Sequence, residues 1–217
     1  MTDASLDGSP GAVAALLPGG AVRVAVDGVD GVGKSTFARR LAAELAAAGR
    51  PAVHVSADGF HHPAAVRHRR GRRSPEGFWL DSYDYAALID NVLIPFGTGG
   101  SRRYRPAVHD VATDEVLDSP WLVAPPDAVL VVDGLFLHRD ELAGFWDFSV
   151  FLAAPFDVTV PRMAARDGSH PDPGHPSQAR YVQGQRLYFA ACEPWKRASV
   201  VVDNTDLSRP RLAGADG

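Results

Sequence analysis

Residues 28–35 read Gly-Val-Asp-Gly-Val-Gly-Lys-Ser, which is a complete G-x-x-x-x-G-K-[ST] pattern. The apolar run 22–26 precedes it, and residues 36–48, which have the composition of a helix, follow it. A strand, a glycine-rich turn and a helix start together aim backbone N–H groups and a positive dipole end at an anion. The pattern and its flanks therefore predict a loop that binds the phosphates of a nucleoside triphosphate.

The residue types in this loop suit the chemistry of a triphosphate. The glycines let the backbone curve around phosphate oxygens without a Cβ in the way. The Lys34 ammonium can reach the β- and γ-phosphates, and the Ser35 hydroxyl can bind Mg²⁺. We therefore expect ATP and Mg²⁺ as cofactors. The residues expected to hold the nucleotide are Gly28, Asp30, Gly31, Val32, Gly33, Lys34, Ser35 and Thr36.

The size of the chain favours a single domain. Its 217 residues are enough to bury a substantial core. We assign residues 1–20 to a loosely attached N-terminal arm and 21–217 to one P-loop domain, with a small lid near 162–180.

Charge and cysteine content narrow the partners that we expect. A net charge of −4 gives no case for binding nucleic acid or an anionic membrane, so the expected partners are ATP and a small-molecule acceptor. No stretch approaches the ~18 apolar residues that span a bilayer. The lone Cys192 excludes an internal disulfide, and we expect a buried thiol in a cytoplasmic protein. The sequence leaves open whether the chain forms a homo-oligomer.

Short apolar runs alternate with segments of helical composition along the chain. The expected strands are 22–26, 52–56, 128–133, 148–153 and 199–203, with short strands near 107–111 and 121–124. The expected helices are 34–48, 83–95, 139–145, 156–166 and 177–192. The polar stretch 58–82 reads as an irregular, functional loop. This alternation predicts an α/β chain with a three-layer P-loop NTPase fold, in which helices cover both faces of a parallel sheet.

Acidic residues follow the predicted strands where ligands bind in such sheets. Ligands lie beyond the carboxyl ends of the strands in open parallel sheets. Asp133 ends one apolar run and suits the carboxylate that holds Mg²⁺, together with Ser35. Asp58 follows the second strand and suits the carboxylate that orients an acceptor hydroxyl and takes its proton.

Cationic and aromatic residues surround these acids in the sequence. Arg162 and Arg166 lie four residues apart on a predicted helix, so they share a face and could stabilise a phosphoryl group in transfer. The arginine runs 67–73 and 102–105 read mainly as solvated loops, of which a few members could clamp phosphate. The adjacent histidines at 61–62 have poor spacing for zinc. The aromatic residues near the acids are candidates for stacking on a flat substrate, although core packing is expected for at least two of them: Phe60, Trp79, Tyr83 and Tyr85.

Together these segments resemble the uridine kinase/phosphoribulokinase-like family of P-loop kinases, which also holds the type I pantothenate kinases. The resemblance runs from about residue 22 to 206. The segments that carry it are DGVDGVGKST (27–36), SADGFHHP (56–63), SPEGFWLDSYDY (74–85), VVDGLFL (131–137), RMAARD (162–167) and VVVDN (200–204). It implies that Arg162 and Arg166 are the catalytic arginines of a lid.

The resemblance also implies roles on the acceptor side. By it, Asp58 is the catalytic base and Asp84 holds sugar hydroxyls. The pair His109-Asp110 corresponds to an aromatic–Asp pair that helps to grip a base, with His where the family usually has Tyr. The residues expected at the acceptor are Asp58, Phe60, His61, Tyr83, Asp84, His109 and Asp110.

Four functions remain open on the sequence. The first is transfer of the γ-phosphoryl group of ATP to a hydroxyl of a nucleoside such as uridine or cytidine. The D-G-F-x-H-P spelling also suits a pantothenate- or sugar-type kinase of the same family. The third is a nucleoside-monophosphate kinase, because the arginine runs could hold an acceptor phosphate. The fourth is a nucleotide-dependent switch or regulatory ATPase, although the chain offers only N-T-D at 204–206 in place of N-K-x-D.

Overall fold

The computed structural model describes residues 7–20 and 22–213. The strands in chain order are β1 (Arg23–Gly28), β2 (Ala52–Ser56), β3 (Arg103–Tyr104), β4 (His109–Asp110), β5 (Glu115–Val116), β6 (Leu122–Val123), β7 (Val129–Asp133), β8 (Phe148–Ala153), β9 (Val200–Asp203) and β10 (Arg211–Leu212). The α-helices are α1 (Pro10–Leu16), α2 (Lys34–Ala47), α3 (Ala64–Arg67), α4 (Pro75–Asp81), α5 (Tyr85–Leu88), α6 (Asp140–Ala143), α7 (Phe156–Asp167), α8 (Ala179–Cys192) and α9 (Pro194–Arg197).

A six-stranded sheet in the order β10-β9-β8-β1-β7-β2 lies at the centre of the fold. Its neighbouring strands are parallel, except that β10 runs antiparallel to β9 at the edge. The predicted parallel sheet is confirmed, whereas β10 is a strand that the sequence does not predict. Val26 and Ser56 both lie beside Asp133 in the register, so the carboxyl ends of β1, β2 and β7 meet at one edge.

Helices cover both faces of this sheet, which confirms the predicted three-layer α/β architecture. Val129 and Val131 of β7 belong to the apolar cluster that contains α1 and α2. Leu130 and Val132 of the same strand belong to the cluster that contains α4, α5 and α8. This division follows from the strand repeat of two, which turns successive side chains to opposite faces.

The N-terminal arm is better anchored than the sequence suggests. Helix α1 packs on α2, with Val13 and Leu17 buried, so loose attachment is wrong for this part of the arm. The expected arm and domain also include residues 1–6, 21 and 214–217, which lie outside the described residues.

The stretch 58–82 is more regular than expected. It contains α3 and α4, and a 3-10 turn begins just before it at Ala57–Phe60. The Ser74 hydroxyl accepts from Gly77 N at 3.0 Å, and Pro75 occupies the first position of α4. A Ser cap followed by Pro is a strong helix start, so the prediction of an irregular loop is wrong for α4.

The remaining connections are short or small. Two antiparallel ribbons, β3–β6 and β4–β5, occupy the segment predicted to hold short strands. The segment 83–95 begins as α5 and continues as the π-helical turn Ile89–Leu93. Within residues 7–20 and 22–213, none of the helices has the length and apolarity that crossing a bilayer requires. Cys192 is buried, as expected.

Candidate active site

The phosphate-binding loop connects β1 directly to α2. Gly33 precedes α2 with φ at 97°, and Gly31 has φ at 78°, both in the left-handed region that favours glycine. A Cβ on Gly31 would also lie 2.7 Å from Cγ of Met163 in α7. The backbone path of the loop therefore requires glycine at these two positions.

Lys34 begins α2 and lies over the loop. Its ammonium donates to the carbonyl oxygens of Gly28 at 3.2 Å and Val29 at 3.0 Å. A lysine ammonium has three N–H donors. One donor therefore remains for a phosphate oxygen while the loop itself holds the other two.

Two buried side chains from outside the loop fix its position. Gln185 Oε1 of α8 accepts from Asp30 N at 2.7 Å. Asn204, just after β9, donates from Nδ2 to the Val32 carbonyl at 2.7 Å. The sequence predicts neither role. Asn204 lies in a segment that resembles the family, but no motif in α8 marks Gln185.

Ser35 and Asp133 lie close together, as the metal prediction requires. The Ser35 hydroxyl donates to Asp133 Oδ2 at 2.5 Å, and the carboxylate is buried at the end of β7. His54 Nε2 lies 2.6 Å from the other carboxylate oxygen, Oδ1. Hydroxyl and carboxylate oxygens are the donors that Mg²⁺ prefers, so this pair fits the ion. The sequence does not predict this role of His54, because a single histidine in β2 belongs to no recognisable motif.

A cavity of about 400 Å³ opens in front of the loop. The loop contributes Asp30, Gly31, Gly33, Lys34, Ser35 and Thr36 to its wall. Asp58 and Asp133 line it from the ends of β2 and β7, and Arg162 and Arg166 line it from α7. The fold therefore brings the predicted catalytic and metal-binding residues to one space.

Asp58 is held from behind by an aromatic pair. The Tyr83 hydroxyl donates to Asp58 Oδ1 at 3.0 Å, and the His61 ring packs on the Tyr83 ring with centroids 4.3 Å apart. Tyr83 is 3% exposed, and burial, reinforced by the charge of Asp58, raises its pKa well above the usual range. The phenol therefore stays a hydrogen-bond donor at neutral pH. Burial lowers the pKa of His61, which favours a neutral imidazole.

Two of the residues expected at the acceptor have structural partners. Asp84 caps α5, since its Oδ1 accepts from Ala87 N at 2.9 Å. Phe60 is 0% exposed and packs in the core, so its expected contact with the substrate is corrected to core packing. Core packing of a ring next to a site acid was one of the two roles that the sequence allowed.

The pair His109-Asp110 belongs to the β4–β5 ribbon. Asp110 Oδ1 accepts from the backbone N–H groups of Ala112 at 2.8 Å and Thr113 at 3.3 Å. His109 is 3% exposed, and its Nε2 lies 3.3 Å from Asp114 Oδ1. Asp110 therefore holds the turn of the ribbon, whereas neither ring nitrogen of the buried His109 has a hydrogen-bond partner among the described residues. The predicted grip of this pair on a base stays a prediction.

The two arginines of α7 differ in how they are held. Arg162 donates to the carbonyl oxygens of Asn204, at 3.2 Å, and Thr205. Arg166 is exposed and lies 3.4 Å from Asp167. Arg162 is thus fixed against the segment after β9, whereas Arg166 lines the cavity with an exposed side chain.

A buried polar network lies beneath the loop. Asp27 Oδ1 accepts from Gly28 N at 2.7 Å, and Oδ2 accepts from the Tyr188 hydroxyl at 2.5 Å. His138 Nδ1 lies 2.9 Å from the same Oδ2. Asp27 therefore holds the first amide of the loop and connects it to α8, a structural role that the sequence did not reveal.

Two kinds of charge line the cavity. Lys34 of the loop and Arg162 and Arg166 of α7 are cations that can bind a polyphosphate. The carboxylates of Asp133 and Asp58 face the cavity from the sheet edge, where they can hold a cation and orient a hydroxyl. This arrangement suits phosphoryl transfer.

Several solved structures share this fold. A possible uridine kinase from Bacillus stearothermophilus has a TM-score of 0.65 at 22% identity, covering 83% of this chain and 87% of that chain. A candidate fructose transport system kinase from Silicibacter sp. TM1040 also has a TM-score of 0.65, at 25% identity, covering 83% and 95%. Phosphoribulokinase from Rhodobacter spheroides has a TM-score of 0.57 at 16% identity, covering 84% and 70%. None of the curated proteins matches the chain significantly.

The family comparison covers most of the chain. The model of the phosphoribulokinase/uridine kinase family matches residues 23–176. That range contains the phosphate-binding loop, both site acids, and the two arginines of α7. The chain therefore belongs to the phosphoribulokinase/uridine kinase family.

Proposed function

We propose that this protein transfers the γ-phosphoryl group of ATP to a hydroxyl group of a nucleoside. Family membership supports the coarser statement, a small-molecule kinase with a hydroxyl acceptor. The observation that carries the proposal is the shared cavity, in which Lys34 and Asp58 face the same space from the loop and from the sheet edge. A polyphosphate on the loop would then lie beside a carboxylate that can accept a hydrogen bond from the acceptor hydroxyl.

The chain's cations would hold the triphosphate. The free donor of Lys34 and the guanidinium groups of Arg162 and Arg166 would neutralise charge on the transferred group. Ser35 and Asp133 would hold Mg²⁺, which would supply further neutralisation of the phosphate charge.

Asp58 would act on the acceptor. It accepts a hydrogen bond from the acceptor hydroxyl and takes its proton as the new O–P bond forms and the bond to the leaving ADP breaks. The hydrogen bond from Tyr83 fixes one carboxylate oxygen and leaves the other for the acceptor.

The nucleoside acceptor is supported by the aromatic surroundings of Asp58. The half-buried His61 ring lies next to Asp58 and packs on the buried Tyr83 ring, and a ring of this kind can pack against a flat base or a sugar. By the family resemblance, Asp84 would hold the sugar hydroxyls, and one structure of the same fold is a possible uridine kinase.

A sugar is the second candidate acceptor, and two observations favour it. Asp110 already holds the β4–β5 turn and His109 is buried, which weakens the case for a grip on a base. The structure that is 25% identical to this chain is a candidate fructose transport system kinase. A sugar needs side chains that bind its hydroxyl groups, such as Asp84, but it does not need a pair such as His109-Asp110 that binds a base. No comparable observation favours the nucleoside-monophosphate kinase or the regulatory ATPase.

Release of ADP in the presence of single acceptors tests the proposal. The panel contains uridine, cytidine, fructose, ribose, pantothenate and uridine monophosphate, each with ATP and Mg²⁺. Stimulation by uridine or cytidine above the acceptor-free rate supports the nucleoside, and stimulation by a sugar alone replaces it with the second candidate. Stimulation only by the monophosphate, or hydrolysis that no acceptor changes, would contradict both.

A further inference from the structure

The arginine run 67–73 divides into two groups that the sequence does not distinguish. Three members have carboxylate partners. Arg67 lies 3.0 Å from Asp114, while Arg69 and Arg70 both bind the buried Asp81. These three arginines therefore form ion pairs that stabilise the fold.

Arg72 and Arg73 form the second group. They are exposed, and within the described part of the chain no carboxylate lies within ion-pair distance of either guanidinium. Both line a cavity of about 440 Å³ between the arginine run and the start of α8. The other lining residues are His175, Pro176, Ser177, Arg180 and Tyr181, so no described acidic side chain lines this space.

Arg180 fixes the wall of this cavity. It is 9% exposed and donates to the carbonyl oxygens of Ser74 at 3.1 Å, Arg67 at 3.3 Å and Gly71 at 3.5 Å. Burial lowers its pKa, but a guanidinium remains charged at neutral pH. The loop that carries Arg72 and Arg73 is thus held in place by a buried cation that makes no direct ion pair with any described carboxylate, although Asp81 interacts with it at longer range.

The positive charges around this cavity would favour a bound anion. The first turn of α8 contains no acidic residue, although acids there would interact well with the positive end of the helix dipole. Arg180 instead adds a positive charge to that end, and Arg72 and Arg73 add two more. A bound anion would offset this accumulation of charge.

We propose that this cavity is a second anion site that binds the phosphate group of a small phosphorylated molecule. Arg72 and Arg73 can each offer a planar pair of N–H donors, the geometry that matches phosphate. The Tyr181 ring and Pro176 provide an apolar wall for the organic part of the ligand. The cavity shares no lining residue with the one in front of the phosphate-binding loop, so the two sites are separate.

Titration calorimetry in a Lys34→Ala background tests this site. The Lys34→Ala change weakens binding of the anionic probes at the phosphate-binding loop, which would otherwise contribute to the signal. The probes are inorganic phosphate and ribose 5-phosphate. Ribose is the uncharged control, and oligothymidylate is the control for binding of any long polyanion. The added double change Arg72→Ala/Arg73→Ala should weaken phosphate and ribose 5-phosphate binding about tenfold or more, because two charged hydrogen-bond donors are lost. Arg40→Ala, which removes an exposed arginine of α2, should leave binding unchanged.

The outcomes are separable from those of the proposed kinase activity. Saturable binding of ribose 5-phosphate that the double change abolishes and that added salt weakens supports the site, whether or not the protein phosphorylates any acceptor. Tighter binding of ribose 5-phosphate than of phosphate identifies an organic phosphate as the ligand, and equal binding identifies free phosphate. The proposed site would be overturned if the double variant bound ribose 5-phosphate as tightly as its parent, or if the protein bound only a long polyanion such as oligothymidylate. Thermal melting of each variant checks that the fold is intact.

Discussion

Tyr83 donates its hydroxyl hydrogen to Asp58 at 3.0 Å, from the side of the carboxylate that faces the core. This places a fixed acid at the rim of the cavity that Lys34 lines. If Asp58 takes the proton of the acceptor, Asp58→Asn should lower turnover by about a hundredfold to ten-thousandfold. The affinity for ATP should stay within about twofold, because the residue does not belong to the loop. Steady-state rates and ATP titration measure the two quantities, and Asp118→Asn, which changes an exposed carboxylate, is the control.

Removal of the Tyr83 hydroxyl tests its positioning role separately. Tyr83→Phe keeps the ring stacked on His61 but frees one carboxylate oxygen, so we expect turnover to fall about tenfold with the KM for ATP unchanged. Because burial keeps the pKa of Tyr83 far above neutral, no limb of the pH–rate profile between pH 6 and about 9 should disappear in the variant. Tyr104→Phe, in the β3–β6 ribbon, is the matched control. Wild-type turnover in Tyr83→Phe would remove Tyr83 from the site.

Lys34 and Lys196 are the two lysines of the chain, and they form a natural pair of test and control. Lys34→Ala removes the donor that remains for a phosphate oxygen, so kcat/KM should fall about a hundredfold to a thousandfold and ATP binding should weaken. Lys196→Ala loses a surface ion pair with Glu193 and should behave as wild type. Normal turnover and ATP affinity in Lys34→Ala would contradict the loop assignment itself.

His54 supports the carboxylate that is proposed to hold Mg²⁺. His54→Ala leaves Asp133 Oδ1 without its partner at 2.6 Å, so the Mg²⁺ concentration for half-maximal activity should rise about tenfold. Binding of Mn²⁺ in the presence of ADP, followed by electron paramagnetic resonance, should weaken by a similar factor. His68→Ala, outside this site, serves as the control. Unchanged metal affinity in His54→Ala would show that His54 does not act on the metal through Asp133.

The sequence predicted the parts of this site that depend on local pattern and strand order. The glycines, Lys34 and Ser35 follow from one motif, and Asp58 and Asp133 follow from the rule that parallel strands end at the same edge. Both predictions hold in the folded structure because the motif and the strand-end rule each reflect backbone geometry.

What the sequence could not show depends on contacts between distant elements. Gln185 reaches the loop across 155 residues and His54 reaches Asp133 across 79, and neither carries a local signal. The sequence also could not show which arginines of the run 67–73 form ion pairs, because Asp114, the partner of Arg67, lies in the distant β4–β5 ribbon. Helix α4 was missed for a different reason, since its Ser-Pro start was readable but lay inside a strongly charged stretch.

Asp81 predicts how stability should change with pH. Its side chain is 0% exposed and binds Arg69 and Arg70. Burial alone would raise its pKa, but the two guanidinium groups outweigh burial and lower the pKa below the usual 3.8. The unfolded chain therefore takes up the proton first as the pH falls. The stabilisation is complete above pH 3.8 and is lost as the pH falls through the lower folded pKa.

Chemical denaturation of wild type and Asp81→Asn at several pH values tests this. At pH 7 the change should lower the free energy of unfolding by about 1–3 kcal/mol, because Arg69 and Arg70 are partly exposed and the pair is screened. The difference should shrink as the pH falls below about 4, since protonation removes the same charge in wild type. Asp140→Asn, which removes an exposed partner of Arg197, should change stability by less than about 0.5 kcal/mol. A difference between wild type and Asp81→Asn that stays constant from pH 7 to pH 3 would mean that the charge of Asp81 does not stabilise the fold.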